Sequence, residues 1–142
     1  MTKTEKALEN FGNYNCCQVI INAFAEELNL NMDTALKISS GFGGGMTKAE
    51  VCGAVSGACM AISLKHGSAD WENLESKEKV KKSVNKFMNE FIEKHGSCTC
   101  KGLLGYDKST EEGAKIIKEK ELGEKLCPGF IESAIKIAED II

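Results

Sequence analysis

The sequence contains no arginine. All 18 basic residues are lysines, and 21 acidic residues give the chain a net charge of −3. Arginine guanidinium groups form bidentate hydrogen bonds with guanine bases and with phosphates. Their absence from an acidic chain therefore argues against nucleic acid as a partner. The same charge balance argues against binding to an anionic membrane. With one proline and six phenylalanines against 14 glycines, the composition also excludes a proline-rich tract.

Long hydrophobic runs are absent as well. The first ten residues, Met1–Asn10, interleave acidic residues with lysines, so we expect no export signal. The longest uncharged apolar stretch, Val51–Leu64, has 14 residues, which is shorter than the run of about 20 that crosses a bilayer. These absences predict a cytoplasmic protein with no membrane partner.

The pattern of a β-strand is also missing. Apolar residues recur at intervals of three and four almost throughout the chain, which is typical of amphipathic helices. The chain has 142 residues, of which 42% are hydrophobic, and this is enough to form one core. We therefore expect residues 1–142 to form a single all-α domain, a bundle of about five to seven helices.

Capping residues predict where these helices begin. Asn15 is a good N-cap, and Thr47 with Glu50 has the pattern of a capping box. Cys127-Pro128 predicts the start of the last helix, because proline is favoured at the first helical position. The predicted helices are Thr4–Phe11, one starting near Asn15, Asn31–Ser40, Thr47 to about Lys65, Asp70 to about Lys94, one from Ser109 to about Leu122, and one from Cys127 to the carboxyl end.

The cysteines are the most informative residues of the chain. Cytoplasmic thiols are kept reduced, and an odd number cannot all pair, so metal binding or redox chemistry is favoured over a disulfide scaffold. No two are spaced as Cys-x-x-Cys, which removes the signatures of a zinc ribbon, a thioredoxin-like centre and a haem attachment site. The seven are Cys16, Cys17, Cys52, Cys59, Cys98, Cys100 and Cys127.

Helix geometry limits which cysteines can act together. Cys52 and Cys59 are seven residues apart on one predicted helix, so they are separated by about 10.5 Å along its axis. Both cannot bind one small centre, and the apolar neighbours of Cys59 favour a packing role for it. Cys16 and Cys17 point about 100° apart, so one of them should belong to the core.

The remaining cysteines complete the selection. In the extended Cys98-Thr-Cys100 segment the two sulfurs point to opposite sides, so one of the two is favoured. One cysteine from each pair together with Cys127 leaves four, from four separate segments. Four thiolates are the usual ligands of an iron–sulfur cluster.

Glycines accompany these cysteines. Gly53 and Gly57 leave a small-residue face beside Cys52, which allows a backbone or a cluster to approach closely, although tight helix packing alone would also explain it. The Gly41–Gly45 turn follows a helix rather than a strand and lacks the Lys-Ser/Thr ending of a phosphate-binding loop. We expect backbone near the cluster at Gly43, Gly44, Gly45 and Gly53, where amides could donate to its sulfurs.

Neither histidine is predicted to bind metal. His66 and His95 each lie in the last turn of a predicted helix and precede a glycine, in the repeated sequence Lys-His-Gly-Ser. A histidine in the last turn followed by glycine is ordinary C-terminal capping chemistry.

Several blocks together resemble a known family. The chain resembles the C-GCAxxG-C-C family of cysteine-rich proteins, which are described as redox-active. The central block reads Cys-Gly-Ala-x-x-Gly here rather than Gly-Cys-Ala-x-x-Gly. The blocks are Asn15-Cys-Cys-Gln18, Gly41-Phe-Gly-Gly-Gly45, Cys52-Gly-Ala-Val-Ser-Gly57, Cys100 ahead of Leu103-Leu-Gly-Tyr-Asp107, and Cys127-Pro128.

The resemblance implies a ligand set and a role. It selects Cys16, Cys52, Cys100 and Cys127 as ligands of an iron–sulfur cluster in a protein of electron transfer or redox sensing. Cys17, Cys59 and Cys98 are left as alternative ligands, resolving thiols or packing residues. The expected partner is another redox protein, with which the chain would act as a component of an oxidoreductase. The chain could also form a homodimer.

Two alternatives remain open from the sequence. One is a metal-free protein in which Cys127 or Cys100 forms a reversible disulfide with a neighbouring cysteine. The other is a binding module for zinc or another thiophilic ion, without a redox role. The sequence offers no pair of general base and nucleophile, so the substrate stays undefined.

Overall fold

The computed structural model describes all 142 residues and is all-helical, as the periodicity predicts. Two isolated bridges, Phe11 with Tyr14 and Val51 with Thr99, are the only strand-like pairings. The helices are α1 Lys3–Asn10, α2 Cys16–Ala25, α3 Met32–Ser39, α4 Gly53–His66, α5 Leu74–His95, α6 Cys100–Leu104, α7 Glu111–Glu119 and α8 Leu122–Ile141, with a 3₁₀ turn at Ser40–Phe42 and a distorted turn at Gly45–Ala49.

The count of eight α-helices exceeds the predicted range of five to seven. The additional helix is α6, which has only five residues. A single turn of helix is too short to show a 3.6-residue period, so it could not be read from the spacing of apolar residues.

Helix α2 lies at the centre of the bundle and packs against α1, α3, α4 and α8. Its large apolar side chains, Val19, Ile20 and Phe24, are fully buried. Helix α4 approaches α2 very closely at Gly57, where a Cβ atom would lie 2.9 Å from the Ile20 Cβ atom. Glycine at this position therefore allows the two backbones to pack in contact.

The predicted helix start at Thr47 is wrong. Thr47 has a left-handed φ of 63°, and α4 begins only at Gly53, with Cys52 as its N-cap. The amide of Cys52 donates to the carbonyl of Cys98 at 2.8 Å, and the amide of Cys100 donates to the carbonyl of Glu50 at 2.7 Å. This pairing between distant segments holds residues 50–52 extended and overrides the local capping preference.

The predicted start of the last helix at Cys127-Pro128 is also wrong. Helix α8 begins at Leu122, and Pro128 lies inside it. A proline there removes one backbone bond to the carbonyl four residues earlier, that of Glu124. Burial of Ile131 and Ile135 on the face that contacts α2 and α4 stabilises the helix despite this loss.

No helix combines the length and the hydropathy that a bilayer span requires. The longest helix, α5, is 22 residues long but carries many lysines and glutamates. This finding agrees with the absence of a long apolar run in the sequence.

Candidate functional site

A cavity of about 400 Å³ lies where the first residues of α2, α4 and α6 meet α8. Apolar side chains of Phe11, Leu103, Leu104 and Phe130 form part of its wall. Lys108 and Glu124 are its charged lining residues. Four of the seven cysteines line this one cavity, and they are Cys16, Cys52, Cys100 and Cys127.

Cys16 is placed in the cavity by a capping box at the start of α2. The side-chain oxygen of Asn15 accepts from the amides of Cys17 and Gln18, at 3.0 and 2.9 Å. The Gln18 side chain in turn accepts from the Asn15 amide at 3.0 Å. These reciprocal bonds fix the first turn, and with it the direction of the Cys16 side chain.

Cys52 and Cys100 reach the cavity through two segments that run side by side. Cys52 is the N-cap of α4, and Cys100 is the first residue of α6, which Thr99 caps. The two backbone bonds between residues 50–52 and 98–100 hold these helix starts together. Both cysteines are more than nine-tenths buried.

Cys127 comes from the opposite wall. It lies in the second turn of α8, one residue before Pro128, and it is half-buried. Its place within the helix corrects the expectation that it would sit at a helix start, so no helix N-terminus stabilises its thiolate.

Cys16 is the one cavity cysteine whose pKa is depressed. The neighbouring Cys52 thiol lowers the pKa of Cys16 to about 6, against the opposing effect of burial. The Gly44 amide and the charge of Lys108 lower it further. Cys52 has its pKa raised by the same interaction. The interaction therefore favours the thiolate form of Cys16 and the protonated form of Cys52.

The other two cavity thiols are protonated when they are free. Burial raises the pKa of Cys127 to about 12 and also raises the pKa of Cys100. Lys108 acts in the opposite direction on both groups. A bound metal would be needed to deprotonate them at neutral pH, because metal binding replaces the proton of a thiol.

Glycines keep the Cys16 side of the cavity open. A Cβ atom on Gly53 would overlap the Cys16 sulfur. Gly44 and Gly45 line the cavity with positive φ values of 61° and 64°. Gly43 lies outside it, in a neighbouring depression, where a Cβ atom would come within 2.7 Å of the Asn15 side chain.

The three other cysteines lie outside the cavity. Cys17 is fully buried in the core, where burial raises its pKa to about 12 and the Ser56 hydroxyl contacts its sulfur at 3.8 Å. Cys59 packs half-buried on α4, and burial raises its pKa to about 11. Cys98 is half-buried and packs at the edge of the core.

Neither histidine lines the cavity. The Nε2 atom of His66 lies 3.1 Å from the Ile141 carbonyl, at the far end of α4. His95 packs against the rings of Phe91 and Phe130, and burial lowers its pKa. The Nε2 atom of His95 is buried without a hydrogen-bond partner. Neither histidine is placed to act as a base for a cysteine of the cavity.

Lys108 is the residue of this site that sequence reasoning missed. It contributes positive charge near Cys16, Cys100 and Cys127. In the sequence it is one of 18 lysines, in a loop between two predicted helices, and nothing in its neighbours distinguishes it. Only the long-range folding of that loop onto α2 brings it to the cavity.

The cysteines of the cavity are spread around its walls rather than gathered at one point. No three side chains of His, Cys, Asp or Glu lie close enough together to hold one metal ion. Four thiolates on a single tetrahedral zinc would lie about 3.8 Å from each other, given zinc–sulfur bonds of about 2.3 Å. Thiolates on the separate irons of a cluster are farther apart, which fits cysteines spread around the walls of a cavity.

The fold and the cavity together define a class, a cysteine-rich helical protein with four thiols facing one space. The chain belongs to the C_GCAxxG_C_C family, since the family model described as "Putative redox-active protein (C_GCAxxG_C_C)" matches residues 14–141. This match confirms the resemblance and spans every cysteine of the chain. No curated protein and no solved structure matches the chain.

Proposed function

We propose that the protein is a redox protein that holds an iron–sulfur cluster through Cys16, Cys52, Cys100 and Cys127. The observation that carries the proposal is that these four cysteines, from four separate segments, line a single cavity. The family's description as redox-active supports the same role. A bound cluster would take up and release single electrons, as such groups do in electron transfer and redox sensing.

The residues around the cavity suit this role. Cys16 has the lowest pKa of the four cavity thiols, so it is the thiol best prepared to bind the first iron. The Gly44 backbone lowers the pKa of Cys16, and hydrogen bonds from backbone amides to ligand sulfurs adjust the reduction potential of a cluster. Leu103, Leu104 and Phe130 give the cavity an apolar wall.

The proposed ligands would also cross-link the fold. They belong to α2, α6 and α8 and to the N-cap of α4. Binding free energy at such a site adds to the free energy of unfolding, because the unfolded chain has no preformed site. The loaded protein should therefore unfold at a higher urea concentration than the metal-free form.

The test is anaerobic reconstitution with ferrous iron and sulfide, followed by iron and acid-labile sulfide analysis and a visible absorption spectrum. We expect bound iron, bound sulfide and a sulfur-to-iron charge-transfer band in the wild type, all lost in Cys127→Ala. The matched control is Cys59→Ala, which lies outside the cavity and should load normally. A folded wild type that remains colourless and binds no iron would contradict the proposal.

A second function is favoured by one specific contact. Cys16 and Cys52 line the same cavity and shift each other's pKa, so they are the two thiols that we propose would form a disulfide. The Cys16 thiolate would attack a partner's disulfide and release one partner thiolate. Cys52 would then lose its proton and attack the Cys16 sulfur, which releases the second partner thiolate.

The two functions give different results under mild oxidation. In the disulfide reaction, the metal-free protein would lose two free thiols on treatment with a small disulfide and recover them with a dithiol reductant. Peptide mapping should show that Cys16 and Cys52 are joined. Oxidation that leaves both of these cysteines free would exclude this reaction.

A further inference from the structure

A polar depression of about 450 Å³ adjoins the cysteine cavity. The two concavities share Asn15, Gly44 and Lys108, so these three residues lie at the boundary between them. The rest of the depression is lined by Ser40, Gly43 and Thr47, and no apolar side chain contributes. A ligand bound in this depression would lie next to Cys16.

Lys108 stands at the boundary of the two concavities without an ion-pair partner. The ion pairs of the protein use other lysines, Lys3 and Lys136. The neighbouring carboxylate of Asp107 accepts hydrogen bonds from the Ser109 amide and hydroxyl instead. The outer side-chain atoms of Lys108 lie 3.7–4.0 Å from where a Gly44 Cβ atom would be, so the lysine packs over the glycine turn.

The turn beneath Lys108 has an unusual backbone. Three residues other than glycine, Met46, Thr47 and Ala49, have left-handed φ values between 54° and 63°. Such a conformation costs about 1 kcal/mol or more for each side chain, and it persists where the surrounding structure imposes it, often at ligand sites. Here the turn brings Thr47 into the lining of the depression, which also includes Lys108.

We propose that the depression binds the carboxylate or phosphate group of a small anionic redox substrate. Lys108 pairs with the negative charge, Asn15 and Thr47 line the wall around it, and the rest of the substrate extends over Gly44 toward the Cys16 sulfur. That the ligand is a redox substrate rests on the redox role proposed above. The anion site itself is defined by Lys108 and the polar walls.

Two alkylating reagents of similar size test the proposal. Iodoacetate carries a carboxylate, iodoacetamide is neutral, and both react with the same thiolate by displacing iodide. The ratio of their rates at Cys16, followed by peptide mass spectrometry on the metal-free protein, cancels any change in the thiolate content of Cys16. We expect Lys108→Met to lower the iodoacetate-to-iodoacetamide ratio about fivefold, the upper range for an exposed ion pair.

Control variants and competitors separate the outcomes. Lys108→Arg keeps the charge and should keep most of the ratio, and Lys101→Met, an exposed lysine outside both concavities, should leave it unchanged. Acetate or inorganic phosphate should slow the iodoacetate reaction of the wild type but not of Lys108→Met. The anion that inhibits more strongly shows whether the depression prefers a carboxylate or a phosphate.

Two results would overturn the proposal. One is a ratio that is the same in the wild type and in Lys108→Met. The other is an equal fall in Lys101→Met, which would show a general effect of charge on the reagent. The assay uses no iron, so a failure of cluster loading would leave these ratios unaffected, and the two proposals can fail separately.

Discussion

Cys16 and Cys17 are neighbours on α2, yet the structure gives them opposite surroundings. Cys16 faces the cavity, where the Cys52 thiol and the Gly44 amide lower its pKa to about 6. Cys17 faces the core at 0% exposure, where burial raises its pKa to about 12. The comparison shows that the direction of the side chain from the helix decides whether a cysteine here is reactive or inert.

The cavity side and the core side of α2 differ in the same way as these two cysteines. On the cavity side, helix starts, a glycine turn and one lysine surround the thiols. On the core side, α2 packs through large apolar side chains against small residues of α4, such as Ala54 and Ala58. One region supplies hydrogen-bond donors and charge, and the other supplies only packing.

The largest expected effect is on thiol reactivity. At pH 7 a thiol with a pKa near 6 is about 90% thiolate, whereas one with a pKa near 12 is ionised only about once in 10⁵ molecules. Iodoacetamide should therefore modify Cys16 at least about 100-fold faster than Cys17, even though a low pKa reduces the intrinsic nucleophilicity of the thiolate. The rate at Cys16 should reach half its maximum near pH 6.

Site-resolved alkylation between pH 5 and 9 checks this prediction. Cys52→Ala removes the principal cause of the low pKa, so the midpoint for Cys16 should move upward. Cys59→Ala should leave the midpoint in place. A midpoint near pH 9 in the wild type would show that the contact with Cys52 does not form.

The next effect concerns the space beside Cys16. Gly53→Ala would place a methyl group onto the Cys16 sulfur, and we expect a loss of about 1–3 kcal/mol in the free energy of unfolding, typical of overpacking. The matched control is Gly129→Ala in α8, where a Cβ atom meets nothing within 4 Å. That change should stabilise by about 0.5–1 kcal/mol, because alanine is the better helix former. Equal behaviour of the two variants in urea unfolding would be incompatible with the close contact.

A smaller effect should appear as the pH rises. The pKa of Cys17 is about 12 in the folded state and about 8.5 in an unfolded chain, so above about pH 9 only the unfolded state loses this proton. Above about pH 9, Cys17 therefore lowers the free energy of unfolding by up to about 1.4 kcal/mol for each unit that the pH rises.

The variant Cys17→Ala isolates this contribution. Its stability should fall less steeply than that of the wild type between pH 9 and 10.5, in urea unfolding under a reducing agent. Val19→Ala, another core truncation on α2 that removes no titrating group, should keep the wild-type slope. Parallel curves for Cys17→Ala and the wild type would disprove the raised pKa.

The smallest expected effect lies in the left-handed turn. Thr47→Gly should stabilise the protein by about 1 kcal/mol, because glycine adopts a φ of 63° without steric cost. The adjacent Lys48 has a φ of −119°, so Lys48→Gly relieves nothing and should not stabilise. Thermal unfolding of the two variants measures the difference, and a stabilisation shared by both would rule out local strain at Thr47 as its cause.

Much of the fold could be predicted from the sequence, and the failures have physical causes. The helical period and the cap at Asn15 predict α2 closely, and the predicted helix Asn31–Ser40 matches α3 within a residue, because these signals are local. The capping pattern at Thr47 failed because backbone bonds to residues 98–100 impose a different conformation. At Pro128, burial of one face of α8 outweighed the missing backbone bond.

For the candidate site, too, the sequence predicts some features and not others. Counting one cysteine from each segment, together with the family pattern, leads to the four that line the cavity. The interaction of Cys16 with Cys52 and the position of Lys108 both depend on how distant segments meet, and no local pattern records this. The placement of Cys52 at a helix start followed from the same long-range pairing.

The most direct test of the division between cavity and core cysteines is differential alkylation before and after loading with iron and sulfide. Each cysteine is alkylated in the metal-free and in the loaded protein, and the change at every site is read by peptide mass spectrometry. The account predicts that loading lowers the alkylation rate most at Cys16, removes the slower labelling of Cys52, Cys100 and Cys127, and leaves Cys17, Cys59 and Cys98 unchanged. Protection of any of the latter three in place of a cavity cysteine would contradict it.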